Sequence, residues 1–402
     1  MSVTSPFLDA ANDHAPQGPG TTLERRLRSR LDELRSVDGL RQLSPPAGID
    51  LCSNDYLNLA RDERLVRRFV EGALREGCGS TGSRLLRGER RRFSIIEQRF
   101  AEFKGAARAL YFSSGYLANL AVLSTLPEAN DAVFSDERNH ASLIDGMRLS
   151  RARRTVFPHN DVAALRRLID ASAADVKFVV VESVFSMDGD LAPLREYAAL
   201  CQDHGAVLVV DEAHAVGVYG CRGTGLIEES AIAERAAISI NTAGKALGVA
   251  GAFVAGPDWA IEYLLQRARS FMFTTAPPPA VADALDEALT IVEREPERRE
   301  QVRALSAHLR SRLRRAGLDV EEGTSQIVPL ILGGNRRASV VASELQAAGF
   351  DVRAIRPPSV PPGTSRLRLS VNSALSEPVL DRLVDELVRI LEERGSCSEG
   401  SS

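Results

Sequence analysis

The sequence has few of the features that mark membrane, secreted or nucleic-acid-binding proteins. No apolar run approaches the roughly 20 residues that a helix needs to cross a bilayer. The net charge of -4 at pH 7 gives no general attraction to nucleic acid. Residues 1–20 lack the basic start and apolar stretch of a signal peptide. These absences predict a cytoplasmic protein with neither a membrane nor a nucleic-acid partner.

Cysteine is scarce and scattered. The chain of 402 residues has five cysteines, an odd number, and none of them forms a C-x-x-C pair. The pattern therefore predicts no disulfide framework, no metal site and no redox pair, and it fits a reducing compartment. The cysteines are Cys52, Cys78, Cys201, Cys221 and Cys397.

Short β-branched runs alternate with helical stretches along the middle of the chain. Residues 176–181 and 206–210 form continuous apolar runs, whereas 162–169 and 194–204 have helical spacing. Such alternation predicts an α/β fold with a mostly parallel sheet between helices. In these sheets ligands bind beyond the carboxyl ends of the strands.

The length exceeds that of one compact domain, so we expect a division. Residues 21–55 form an N-terminal helical segment with leucines at helical spacing, and residues 56–290 form the large domain. Residues 291–394 predict a smaller C-terminal α+β domain, with charged helical runs around one apolar strand. A disordered arm is expected at 1–20 and a disordered tail at 395–402.

Two chemically versatile side chains follow predicted strands. Asp211 ends an apolar run with His214 three residues later, and Lys245 stands in a turn rich in glycine and alanine. A buried carboxylate can hold a cationic ring nitrogen, and a partly desolvated lysine can form a Schiff base. Taken singly, Asp211 is equally well explained as a solvated strand end, and a lone lysine in a loop is more often a solvated surface charge.

Three further strand ends carry polar groups. The turn at Gly115 opens a helix whose free amides suit a phosphate, although capping by a neighbouring serine explains it as well. His140 and Ser186 follow the next two strands, where a structural histidine and an ordinary turn are the alternatives. The spacing around Lys245 does not match a phosphate loop. No G-x-G-x-x-G follows a strand, which disfavours a dinucleotide enzyme.

The chain order of these motifs is a phosphate turn, His140, Ser186, the pair Asp211 and His214, and then Lys245. This order resembles that of the α-oxoamine synthases, which are pyridoxal-phosphate (PLP) enzymes with the aminotransferase type I fold. The resemblance runs from about residue 41 to the last predicted helix. It implies a PLP-binding large domain and a homodimer with shared active sites. The supporting segments are 53–57, 184–190, 245–252, 273–278 and 355–361.

The resemblance also implies a role for each matching residue. Lys245 would carry the cofactor and move a proton, Asp211 would hold the ring nitrogen, and His140 would stack on the ring and contact the substrate. Further cofactor contacts are implied for Gly115, Tyr116, Ser186, His214 and Thr242, with Thr274 or Thr275 reaching the neighbouring subunit's cofactor. Substrate contacts are implied for Arg41, Asn54, Arg356, Ser359 and, as the carboxylate clamp, Arg368.

The implied reaction is the decarboxylative condensation of L-alanine with a pimeloyl thioester in biotin biosynthesis. Glycine or serine as the amino acid, or a different acyl chain, is an open alternative. The joint presence of Lys245, Asp211 and His140 argues against a non-catalytic subunit, and a plain aminotransferase would not need the segment at 53–57. The family often has histidine where Phe93 and Leu375 stand. The arginine-rich loop at residues 84–92 is either a solvated helix start or a site for an acyl donor's phosphates.

Overall fold

The computed structural model describes residues 21–396. The predicted arm at 1–20 and most of the predicted tail lie outside these residues, and residues 395 and 396 end the last helix. The helices are α1 (Thr22–Ser36), α2 (Glu63–Glu76), α3 (Arg91–Lys104), α4 (Gly115–Thr125), α5 (Ala141–Leu149), α6 (Val162–Asp170), α7 (Leu194–Asp203), α8 (Leu226–Glu229), α9 (Asp258–Arg267), α10 (Arg269–Met272), α11 (Ala280–Arg294), α12 (Pro296–Arg315), α13 (Asn335–Ala347) and α14 (Glu377–Ser396), with a π-helical turn at Arg84–Gly88. The strands are β1 (Ile49–Asp50), β2 (Arg108–Phe112), β3 (Ala132–Asp136), β4 (Arg153–Phe157), β5 (Lys177–Glu182), β6 (Val207–Asp211), β7 (Ile238–Thr242), β8 (Ala252–Gly256), β9 (Ile327–Gly333), β10 (Phe350–Asp351), β11 (Ala354–Ile355) and β12 (Ser365–Ser370).

The large sheet has seven strands in the order β2-β8-β7-β6-β5-β3-β4. Only β8 runs antiparallel to its neighbours, so the carboxyl ends of β3, β5, β6 and β7 meet at one edge. The prediction of an α/β fold with a mostly parallel sheet is confirmed.

Alternate side chains of the central strands enter two different apolar clusters. Val179 and Val181 pack into the cluster on one face of the sheet, whereas Phe178 and Val180 pack into the cluster on the other. The strands are continuous apolar runs because both faces are covered by helices. This double cover holds the strand ends rigidly where the polar residues follow.

The C-terminal part contains a three-stranded antiparallel sheet in the order β11-β12-β9. Its apolar face packs with α12, α13 and α14 into a third cluster that includes Leu309, Val328 and Leu387. The charged helical run predicted at 293–315 is divided between α11 and α12. The break falls at Pro296, whose missing N–H and fixed φ favour the first position of a helix. The predicted boundary at residue 290 falls within α11, and the division into domains stays a prediction.

Among residues 21–396, no helix is long and apolar enough to span a membrane. In the same part of the chain, no three acidic, histidine or cysteine side chains are grouped to hold a metal ion.

Candidate active site

The predicted site residues gather at the carboxyl edge of the large sheet. Asp211 and Thr242 end β6 and β7, and His140 follows β3 directly before α5. His214 and Lys245 lie in the loops that follow β6 and β7. Because these strands are parallel neighbours, residues up to 105 positions apart in the sequence (245 − 140) reach one edge.

Lys245 begins a chain of buried polar contacts. Its Nζ lies 2.7 Å from Nε2 of His214, and Nδ1 of the same ring lies 2.6 Å from the hydroxyl of Tyr56. Burial lowers the pKa of Lys245 to about 8, while the charges of Asp211 and Glu182 act in the opposite direction. Burial, together with the neighbouring ammonium, holds the pKa of His214 well below its usual range. The imidazole is therefore neutral, and part of the Lys245 population is neutral near pH 8.

The Asp211 carboxylate is held in place by two donors. Oδ2 accepts from Nδ2 of Asn119 at 2.8 Å, and Oδ1 accepts from the backbone N–H of Ala213 at 2.9 Å. The Asn119 amide also contacts the Ser142 hydroxyl at 2.8 Å, next to His140. These contacts leave lone pairs for a cationic partner. Sequence reasoning missed Asn119, although an amide within the largely apolar helix α4 was a usable signal.

Glu182 is a second buried carboxyl beside Asp211. The two residues are direct register partners on β5 and β6, so their side chains project to the same side of the sheet. Burial and the negative charge of Asp211 raise the pKa of Glu182 to about 8. Its Oε2 accepts from the backbone N–H of Ser186 at 3.2 Å, and Oε1 has no hydrogen-bond partner among the described residues. Two adjacent carboxyls cannot both ionise cheaply, so Glu182 retains its proton at neutral pH.

The turn before α4 brings the backbone close to Thr242. Ser114 caps the helix by accepting from the N–H of Leu117 at 3.2 Å. A Cβ atom at Gly115 would come closer than 3.0 Å to the Thr242 hydroxyl, so only glycine fits there without a shift. Tyr116 is exposed and donates to Asp145. The free amides of this turn point away from the helix and suit a phosphate.

Arg368 is a buried guanidinium on β12. Its Nε donates to the carbonyl of Ser186 at 2.6 Å, and its terminal nitrogens contact the hydroxyls of Ser370 at 2.8 Å and Tyr56 at 3.3 Å. Within residues 21–396 it forms no ion pair with a carboxylate. A planar guanidinium of this kind has the geometry to bind a carboxylate through two hydrogen bonds.

One of the remaining predicted substrate residues, Asn54, is bonded to the chain of polar contacts that begins at Lys245. Asn54 joins the site because its Oδ1 accepts from the Tyr56 hydroxyl at 3.0 Å. Arg41 donates to the carbonyl of Pro357 at 3.1 Å, and Arg356 donates to the carbonyl of Leu40 at 3.0 Å. Ser359 is exposed in the same proline-rich loop.

Thr274 and Thr275 follow α10. In the part of the chain that the structure describes, no hydrogen bond joins either side chain to Lys245, His214 or Asp211. Their predicted contact with a neighbouring subunit's cofactor requires a second chain and stays a prediction.

The arginines of the loop at 84–92 do not form one exposed set. Arg84 is 8% exposed, pairs with Glu97 at 2.9 Å and with Glu89, and lies 4.6 Å over the ring of Phe93. Arg92 pairs with Asp283 at 2.8 Å. Arg90 lies 3.7 Å from Glu76 and donates to backbone carbonyls. Within residues 21–396, only Arg87 and Arg91 of this loop are left without an ion pair.

The arrangement fits PLP on three structural grounds. The turn at Gly115 leaves no room for a side chain where a phosphate would lie against the backbone. Asp211 is fixed beside the half-buried amine of Lys245, and the exposed ring of His140 stands at the start of α5. Lys245 would hold the cofactor covalently, Asp211 would hold its ring nitrogen, and His140 would cover one ring face.

Comparison with known proteins identifies the family. A family model described as aminotransferase class I and II matches residues 46–387. An 8-amino-7-oxononanoate synthase of Burkholderia orbicola (strain MC0-3) is 48% identical over 350 residues, which are 86% of this chain and 86% of that protein. The serine palmitoyltransferase of Sphingomonas wittichii has a TM-score of 0.87 at 29% identity, covering 94% of this chain and 98% of that one. The 8-amino-7-oxononanoate synthase of Francisella tularensis has a TM-score of 0.76 at 29% identity, covering 86% and 98%.

These matches confirm the family and the type of fold that the motif order predicted. They extend over the whole sheet and over every strand end at which the polar residues lie. The chain belongs to the aminotransferase class I and II family and, within it, to the α-oxoamine synthases, a group of PLP-dependent acyltransferases.

Proposed function

We propose that this enzyme condenses L-alanine with a pimeloyl thioester, releasing carbon dioxide and the thiol and forming 8-amino-7-oxononanoate for biotin biosynthesis. The name of the relative that is 48% identical over most of both chains supports this choice among the α-oxoamine synthases. The observation that carries the proposal is the buried Arg368, which is joined to Lys245 through Tyr56 and His214 and has no carboxylate partner in residues 21–396. That position suits the carboxylate of a small amino acid.

PLP supplies an electron sink for the negative charge that develops at the α-carbon of the amino acid. Arg368 binds the amino-acid carboxylate and orients the Cα–H bond toward Lys245. The Nζ of Lys245, whose pKa is lowered to about 8 by burial, takes the α-proton and later returns one to the product. Asp211 would hold the ring nitrogen, because the bonds from Asn119 and Ala213 to its two oxygens fix the carboxyl group in place.

The acyl donor enters from the side of the proline-rich loop. Arg41 and Arg356 have no carboxylate partners in the described chain and donate only to backbone carbonyls there. Both guanidiniums retain donors for an anionic acyl group, and Asn54 and Ser359 border the same entrance. Arg87 and Arg91 are the members of the arginine-rich loop that remain available for a donor carried on coenzyme A or on an acidic carrier protein.

The test supplies the purified enzyme and PLP with alanine, glycine or serine, each with pimeloyl-, acetyl- or palmitoyl-coenzyme A. One thiol and one carbon dioxide are counted per turnover. We expect alanine with the pimeloyl thioester to exceed the other pairs by about tenfold or more in kcat/KM. Serine with the palmitoyl thioester is the specific rival, because a serine palmitoyltransferase has a TM-score of 0.87 with this chain. A higher kcat/KM for that pair would overturn the assignment, and pyruvate formation without carbon dioxide would indicate an aminotransferase.

The active enzyme is a homodimer in this proposal, with sites built from both subunits. Apolar side chains that one chain leaves exposed support it: four leucines of α1 are 40% to 52% exposed, and α2 and the loop after it add more. A dimer interface that covered these side chains would remove them from water. The exposed set includes Leu23, Leu27, Leu31, Leu34, Val66, Phe69, Val70, Leu74, Leu85 and Leu86.

Subunit complementation tests the shared site. Lys245→Ala and the double variant Thr274→Ala, Thr275→Ala are each expected to be inactive or weak alone. A mixed dimer places both defects in one site and leaves the other site intact, so mixing should restore up to half of the activity per mixed dimer. Absence of recovery, together with a mass of one 43.5 kDa chain by light scattering, would reject the shared-site dimer.

A further inference from the structure

The imidazole of His159 lies between two carboxylates. Its Nδ1 is 2.9 Å from Oδ1 of Asp136, and its Nε2 is 2.5 Å from Oδ2 of Asp190. An ionised carboxylate only accepts hydrogen bonds, so an imidazole that bonds to one at each nitrogen carries a hydrogen on both. His159 is therefore a positively charged bridge, and its side chain is only 12% exposed.

The two carboxylates belong to different segments of the active site. Asp136 ends β3 and opens the segment 136–140, here called the His140 segment. Asp190 closes the segment 182–190, here called the Ser186 segment, and its carbonyl accepts from the N–H of Phe185 within that segment at 3.0 Å. His159 itself follows β4, so one side chain connects three loops at the carboxyl edge of the sheet.

Neighbouring groups reinforce the bridge. Asn160 donates through its backbone to Asp136 at 2.9 Å and through its side chain to Asp190 at 3.0 Å. The ring of Phe185 packs edge-on against the imidazole, with 4.4 Å between the ring centroids. The carboxyl groups bonded to the imidazole are Asp136 from β3 and Asp190 from the Ser186 segment. The hydroxyl of Tyr197 from α7 lies next to Asn160, where the charges of Asp136, Asp161, Asp190 and Glu196 act on it.

The electrostatic balance favours the cation over the whole neutral range. Burial by itself lowers the pKa of His159, but the bonds to Asp136 and Asp190 outweigh it and raise the pKa to about 9. A pKa raised from 6.5 in the unfolded chain means that the ion pairs stabilise the fold fully below about pH 6.5. This stabilisation is lost as the pH rises through about 9, where the imidazole loses its second hydrogen.

We propose that the imidazolium of His159 is a positioning group that fixes the His140 segment against the Ser186 segment and thereby sets the geometry of the cofactor and amino-acid sites. This inference deepens the proposed function and rests on it for the identity of those sites. The Ser186 segment transmits the effect further, because the Ser186 carbonyl accepts from Arg368 at 2.6 Å and Asp188 pairs with Arg366 at 2.6 Å. A shift of this segment moves the carboxylate clamp as well as the ring contacts.

The test uses the full-length holoenzyme with His159→Gln and Asp190→Asn, and His204→Gln as a matched control. His204 also pairs with an aspartate, Asp170 at 2.8 Å, but lies just beyond the end of α7 that is remote from the carboxyl edge. The first readout is NMR of histidine labelled at the ring carbon, with the His159 signal assigned by its loss in His159→Gln. We expect it to titrate near pH 9, and about one pH unit lower in Asp190→Asn.

The second readout is the pH dependence of kcat/KM. The parent should lose activity at alkaline pH as His159 titrates, and Asp190→Asn should lose it at lower pH. His159→Gln should lower kcat/KM about tenfold at neutral pH, because a small displacement of the reacting groups slows the reaction by at least that factor. The variant should also lack the alkaline loss of activity, because glutamine does not titrate. His204→Gln should match the parent in both respects.

A His159 signal that titrates near 6.5 would overturn the bridge, and so would an alkaline limb that is the same in all variants. If His159→Gln does not fold, as judged by circular dichroism, Asp190→Asn decides the question alone. If no tested substrate pair reacts but the His159 signal behaves as expected and Asp190→Asn alters the cofactor's visible spectrum, the proposed function fails and the bridge stands.

Discussion

The ammonium nitrogen of Lys245 lies 2.7 Å from Nε2 of His214, a neutral imidazole that is itself bonded to Tyr56. A neutral histidine accepts at one nitrogen only, so the lysine donates to Nε2 and the second ring nitrogen carries the hydrogen toward the Tyr56 hydroxyl. The contact directs the lysine toward the carboxyl edge of the sheet. Burial and the charge of Lys245 lower the pKa of His214, which keeps its ring neutral.

Replacing Lys245 with alanine is expected to abolish turnover, because no other lysine among residues 21–396 lies in a loop at the carboxyl edge of the large sheet. Borohydride treatment of the parent should leave the cofactor attached to the peptide that contains Lys245, which mass spectrometry detects. The variant should bind PLP reversibly and yield no labelled peptide. Full activity in Lys245→Ala would remove this residue from the mechanism.

The rate at which the protein takes up added PLP should rise with pH, because the pKa of Lys245 decides how much of its amine is neutral. Only the neutral amine attacks the aldehyde of added PLP, so the rate of uptake by cofactor-free protein should rise with pH through about 8. The negative charge that Glu182 acquires in the same range favours the ammonium form. Glu182→Gln should therefore shift the midpoint to lower pH in stopped-flow absorbance.

The matched control for Glu182→Gln is Glu234→Gln at an exposed position far from the sheet edge. The amide also mimics the protonated carboxyl, so Glu182→Gln should keep most of the catalytic activity at neutral pH. A complete loss of activity would mean that Glu182 acts in its ionised form.

The strand-end residues were predictable from sequence, because parallel strands bring their carboxyl ends together whatever the loop lengths. Lys245, Asp211 and His140 were predicted to follow such strands, and the structure places them at that edge. The proton on Glu182 was not predictable, since it depends on the register of β5 against β6, which places the carboxyl opposite Asp211. Tyr56 lay within a recognised segment, but its role depends on a contact 158 positions away.

The sequence alone also did not predict which side chains are buried and which are exposed. The arginine-rich loop looked like one cationic surface, yet Arg84 is buried against Glu97 and the ring of Phe93. Conversely, the leucines of α1 recur at the spacing of a helix with one apolar face, yet within the described chain none of the residues of α1 is buried. Both outcomes depend on which surfaces meet in space.

Asp211→Asn should keep PLP bound but lower the rate of α-proton exchange of alanine by about a hundredfold or more, because a neutral amide cannot stabilise the cationic ring nitrogen. NMR in deuterated water measures this exchange without any acyl donor. The control is Asp170→Asn, which removes an exposed aspartate paired with His204. Exchange at the parent rate would exclude Asp211 from this role.

Arg368→Lys should raise the KM for alanine by about ten- to a hundredfold, because a single ammonium cannot replace a planar two-point contact with a carboxylate. Alaninamide provides the control within the same assay. It lacks the carboxylate, so its weaker binding should be nearly equal in the parent and the variant. An equal loss for both amino compounds would assign Arg368 to packing with Ser186 and Ser370 instead.

Gly115→Ala should destabilise the protein by about 1–3 kcal/mol and weaken PLP binding, because the new methyl group would collide with the Thr242 hydroxyl. Removing the Thr242 hydroxyl separates the loss of stability from the loss of PLP affinity. In the double variant Gly115→Ala, Thr242→Ala the collision is gone, so the free energy of unfolding in denaturant should recover toward that of Thr242→Ala alone. Cofactor affinity should stay low, since the methyl group still occupies the space beside the amides that would receive the phosphate. If both properties recover together, the turn at Gly115 has only a packing role and the phosphate lies elsewhere.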